Sequence, residues 1–77
     1  MATDLTPQAV EGFAAAPGTD CPYLGSSDSS CAWHVGAWLQ KTGRPAPRDV
    51  RRSRGHKMWA NDMLLDVSDE QRIERLK

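Results

Sequence analysis

Proline and glycine punctuate this chain so often that any fold must be assembled from short pieces. Pro17-Gly18, Gly25, Gly43, Pro45, Pro47 and Gly55 each interrupt a regular element. With 77 residues the chain has room for one small domain, spanning 1–77, and a thin core.

The pieces between the interruptions read mostly as helices. Thr6 can cap a helix start and Pro7 suits the first helical position, where its missing N–H costs nothing. Val10, Phe13 and Ala14 then fall on one stripe. Pro17-Gly18 stops this segment before it is long enough to persist alone in water. Residues 18–30 read as a loop whose last members, Asp28, Ser29 or Ser30, cap a second helix. That helix runs to about Thr42, with Gly43 as its left-handed terminator. Cys31, Val35, Trp38 and Leu39 share one of its faces. Trp33 lies nearly opposite, beside Ala37 and Gln40. Such a helix is either clamped between elements or offers Trp33, Gly36, Ala37 and Gln40 to a partner. That partner is another protein or, in a homodimer, a second copy of the chain.

Residues 44–56 read as an extended basic arm with little packing of its own. Beyond it, Ala60, Met63, Leu64 and Val67 fit a helical stripe. Ser68-Asp69-Glu70-Gln71 matches a capping box for a last helix carrying Ile73 and Leu76. No alternating strand pattern is evident. The expected fold is therefore all-α: a short helix–loop–helix hairpin over 5–43, a basic arm over 44–56, and one or two C-terminal helices over 57–77.

The formal net charge is zero, but the charges are segregated. Residues 1–40 carry Asp4, Glu11, Asp20 and Asp28 and no Lys or Arg, a balance of −4. Residues 41–57 carry Lys41, Arg44, Arg48, Arg51, Arg52, Arg54 and Lys57 against Asp49, a balance of +6. Residues 58–77 bring the total back with −2. Such clustering speaks to partners more than the total does.

Several chemistries lack the residues they need. No P-loop glycine pattern is present, and no Ser–His–acid set has local support. Cys21, Cys31, His34 and His56 do not have the short spacing of a structural zinc site. No metal or cofactor is expected. Two cysteines make no disulfide framework. There is no secretory signal and no run approaching the roughly 18 apolar residues of a membrane helix. A cytoplasmic location with reduced thiols is expected.

Three motifs occur in order. Gly12-Phe13-Ala14 opens the first helix's end, Cys21-Pro22-Tyr23 forms the turn, and Trp33-His34-Val35-Gly36 lies in the second helix. Over about residues 11–44 this order and spacing resembles the ribosome modulation factor family. The resemblance implies a helical pair joined by the Cys-Pro-Tyr loop, and binding to the small ribosomal subunit near the end of its RNA. One branch of that family is credited with modifying a drug. Cys21, Pro22 and Tyr23 themselves read as a structural turn, with Pro fixing the bend and Tyr packing across the helices.

The expected function is non-catalytic binding of ribosomal or other nucleic acid. Its carriers are Lys41, Arg44, Arg48, Arg51, Arg52, Arg54 and Lys57, with Trp59 as a nearby stacking aromatic. Arginine suits phosphate because its planar fork donates paired hydrogen bonds. The alternative is a protein-interaction module using Trp33 and the helical faces. A drug-modifying enzyme comes third.

Overall fold

A computed structural model describes residues 4–25, 27–69 and 72–77. It contains two helices, α1 (Thr6–Ala14) and α2 (Asp28–Lys41). Four strands follow: β1 (Arg51–Arg52), β2 (Lys57–Ala60), β3 (Met63–Asp66) and β4 (Glu74–Arg75). The strands form one antiparallel meander in the order β1-β2-β3-β4. The fold is a helical layer on one face of a sheet. The expected all-α architecture is therefore incorrect, and the helical hairpin is only one layer of an α/β structure.

Each helix end has a local cause. Asp4 Oδ1 accepts the Thr6 N–H, and Pro7 occupies the first turn of α1. The Thr6 hydroxyl does not cap; it accepts the Val50 N–H across the fold. Ser27, one residue ahead of the expected caps, caps α2 by accepting the Ser30 N–H. Gly43, at φ 71°, ends α2 in the left-handed region. Its N–H reaches Gln40 O and the Arg44 N–H reaches Leu39 O, the paired bonds of a Schellman motif.

The two helices touch at glycines. A Cβ at Gly36 would lie 1.8 Å from Ala9 O, and one at Gly12 would lie 1.9 Å from Trp33 O. Only residues without side chains allow backbones so near. With α1 against its Gly36 side, α2 turns Cys31, Ala32, Val35 and Leu39 into the core shared with the sheet. Both flanks of α2 are thus covered, and Trp33 is only 5% exposed.

The C-terminal third departs most from expectation. Lys57-Met58-Trp59-Ala60 and Met63-Leu64-Leu65-Asp66 form a hairpin around Asn61-Asp62, which have φ of 51° and 63°. Two positive φ values in a two-residue loop characterise the type I′ turn, whose twist matches paired strands. Met58, Ala60 and Leu65 are fully buried, while Trp59 and Leu64 face away from the core. The helical stripe through Ala60, Met63, Leu64 and Val67 omitted Met58 and Leu65, two of the best-buried side chains. The expected final helix is replaced by β4. Glu70 and Gln71 of the expected capping box lie outside the described residues.

Residues 44–56 are not an unpacked arm either. Val50 is 1% exposed and its carbonyl accepts the Leu5 N–H, while Pro47 is also buried. β1 then pairs with β2. The segment carries the chain from the helical layer into the sheet, and Leu5, Val50 and Met58 share one core cluster.

Candidate functional site

The register of the strands sorts the basic segment into an inner and an outer set. Arg51 pairs with Trp59, and Trp59 pairs with Leu64, so these three sit side by side on the face turned away from the helices. The Arg51 guanidinium carbon lies 5.7 Å from the centroid of the Trp59 ring, within cation–π range. Lys57, Asp66 and Glu74 form a second row on the same face. Arg52 pairs with Met58 and so belongs to the inner side. From there it reaches Asp28 at the start of α2 and donates to Gly55 O.

The seven cations named by the sequence therefore differ in availability. Arg52 is committed, since a carboxylate and a carbonyl hold its guanidinium and its side chain is 35% exposed. Arg44 lies over Trp38, 4.8 Å from the ring centroid, with its Nε buried. Arg48 sits 3.9 Å from Asp62 with side chains 77% and 82% exposed. Arg51 sits 3.4 Å from Asp49, with side chains 47% and 69% exposed. Exposed pairs of this kind contribute about 0–1 kcal/mol, so an external phosphate can displace them. Lys41, Arg54 and Lys57 are exposed and make no salt bridge among the described residues. Arg48, Arg51, Arg54 and Lys57 thus remain available, with Arg51 at Trp59 and Lys57 on the same face of β2.

The carboxylates nearby are placed by local hydrogen bonds. The Ser68 backbone N–H, followed by the Ser68 hydroxyl, holds Asp66 below the usual carboxylate range, and Lys57 and His56 add to the effect. Asp4 is lowered in the same way by its hydrogen bonds with Thr6.

The other predicted residues have structural duties. Gln40 Nε2 donates to Phe13 O and Ala15 O at 2.8 and 2.9 Å, closing the end of α1. Gly36 lies in the helix crossing. Trp33, Ala37 and Gln40 line a cleft of about 510 Å³ between the end of α1, the Pro17–Thr19 turn and α2. His34 and Lys41 are also in its wall, and no carboxylate or thiol among the described residues lines it. The Tyr23 hydroxyl donates to Glu11 Oε2, which ties the Cys-Pro-Tyr loop to α1 and pushes the phenol upward in pKa. Pro22 is exposed, and Cys21 lies 3.5 Å from Ser30 Oγ. Cys21 and Cys31 form no disulfide.

Among the described residues, no group of three or more His, Cys, Asp or Glu side chains is arranged to hold a metal ion. No helix there is long and apolar enough to cross a membrane. Leu64 is the one contributor to the outer face that sequence reasoning assigned to the core. The signal that would have found it is the alternation on either side of Asn61-Asp62.

No family model matches the sequence, and no curated protein or solved structure is significantly similar to it.

Proposed function

We propose that this is a small non-catalytic binding protein that holds ribosomal or other nucleic acid on the outer face of its sheet. One observation carries the reading. Arg51 and Trp59 share that face with Lys57, and Arg48 and Arg54, near in sequence, are exposed with only weak internal partners or none among the described residues. The contact set is thereby narrower than the seven cations of the basic segment, because Arg44 and Arg52 serve the fold. The motif resemblance makes ribosomal RNA the first polyanion to test.

Four phosphate contacts give a slope of about −3 to −4 in log K against log salt. Raising salt from 50 to 200 mM should then weaken binding roughly 50- to 150-fold. Fluorescence anisotropy with labelled ribosomal RNA fragments measures this. Arg48→Glu, Arg51→Glu and Arg54→Glu combined should abolish binding at 50 mM salt. Affinity that ignores salt, or survives the triple change, refutes the reading.

A protein partner is the second reading, favoured by the cleft along Ala37 and Gln40. It expects capture that is indifferent to salt and nuclease and is lost in Ala37→Glu.

A further inference from the structure

We infer that the polyanion is a single strand, with one base stacked on the indole of Trp59; this rests on the cationic reading above. The helices cover the inner face of the sheet, so the outer face is the one available to a ligand. That face is built from strands of two to four residues. The exposed side of α1, with Pro7, Val10, Glu11 and Ala14, carries no cation and one carboxylate, so it is poorly suited to a major groove. α2 packs one side on α1 through Gly36 and another on the core, and Lys41 is its one exposed cation among the described residues. A duplex on such a surface would present phosphates and keep its bases stacked inside. Trp59 would then gain nothing from binding. An unstacked base, by contrast, can lie flat on an aromatic ring, and any base can do so because each has a π-face.

The neighbours of Trp59 suit that use. The Arg51 guanidinium lies over the ring at 5.7 Å, held otherwise, among the described residues, only by the exposed Asp49, so an incoming base can take its place on the indole while Arg51 swings to a phosphate. Leu64, across on β3, offers an apolar surface on the opposite side. In the next row Asp66 pairs with Lys57 and Glu74 with Asp66, so acidic charge increases from β2 toward β4. The favoured path of the backbone therefore follows β1, where Arg51 lies between Arg48 and Arg54 in sequence. A single aromatic predicts one stacked base and weak preference among bases.

Anisotropy with labelled 12-nucleotide probes at 50 mM salt tests this. The probes are an adenine strand, an abasic strand of equal charge and a duplex; the adenine strand is made with ribose and with deoxyribose, which separates RNA from DNA. The adenine strand should bind about tenfold tighter than the abasic one, the order one stacked base supplies. Trp59→Phe should keep most of that ratio. Trp59→Leu should remove it while the salt slope stays the same, with circular dichroism and a urea midpoint reporting that each variant is folded. Equal binding of adenine and abasic strands with a steep salt slope would overturn the stacking and leave the cationic reading standing. A duplex bound as tightly as the strand would overturn it too. No binding of any probe would remove the cationic reading itself.

Discussion

Replacing Gly36 by alanine is the sharpest test of the helical layer, because two effects of opposite sign compete there. Alanine favours a helix over glycine by about 0.5–1 kcal/mol. If α2 had an open side at Gly36, the variant would be more stable by that amount. The new Cβ, however, would stand 1.8 Å from Ala9 O and 2.7 Å from Phe13 N. Real Cβ atoms essentially never come within 3.0 Å of such atoms, so the separation must grow by more than an ångström. The obstacle is backbone, and no rotamer change relieves it. Parting the helices also strains the Gln40 bonds to Phe13 O and Ala15 O. Overpacking costs about 1–3 kcal/mol; a backbone clash belongs at the upper end, leaving a net loss of about 2 kcal/mol. A chain of this size has about 4–12 kcal/mol of stability in all. Urea unfolding followed by circular dichroism should show the midpoint fall by about 2 M, taking a slope of about 1 kcal/mol per molar. Ala14→Gly, at the exposed last residue of α1, should cost less than the roughly 0.5–1 kcal/mol of a helix interior. A Gly36→Ala variant more stable than the parent would refute the close crossing.

Two other outcomes follow from local geometry. Asp62→Gly should stabilise the hairpin by about 0.5–1 kcal/mol, because Asn-Gly suits a type I′ turn and Asp62 sits at φ 63°; a lower thermal midpoint would contradict the turn assignment. Asp4 and Asp66 have folded pKa values below their unfolded ones, so their stabilisation is complete above the carboxylate range and is lost as pH falls through it, below about pH 4. Melting temperatures between pH 5 and 2.5 should decline less steeply for Asp66→Asn than for the parent, and parallel curves would refute the assignment. Tyr23 has the reverse sign: its raised pKa contributes stability that is present at neutral pH and fades above about pH 10.

Much of the N-terminal half was legible because its signals are local. Pro7 at a helix start, Gly43 at a helix end and the stop at Pro17-Gly18 act through backbone conformation within a few residues. The position of Trp33 opposite the Val35–Leu39 stripe left two readings open, a clamped helix or one offered to a partner, and in this chain the residue is 5% exposed. The C-terminal third misled because Ala60, Met63, Leu64 and Val67 satisfy a helical period by coincidence. A two-residue turn offsets the alternation of one strand from that of the next, so two short strands can imitate one amphipathic helix. Asn61-Asp62 was the cue that separated them.

By itself, the chain's order of residues determined where backbone must turn, where helices start and stop, and that its cations cluster between residues 41 and 57. Those properties depend on neighbours in sequence. Which cations are committed was decided only by tertiary structure. Arg51 and Arg52 are adjacent, yet strand alternation sends one beside Trp59 on the open face and the other to Asp28 across the core side. The outward pairing of Trp59 with Leu64 is likewise a product of strand register. Register depends on contacts between segments, and a charge count along one chain contains no information about it.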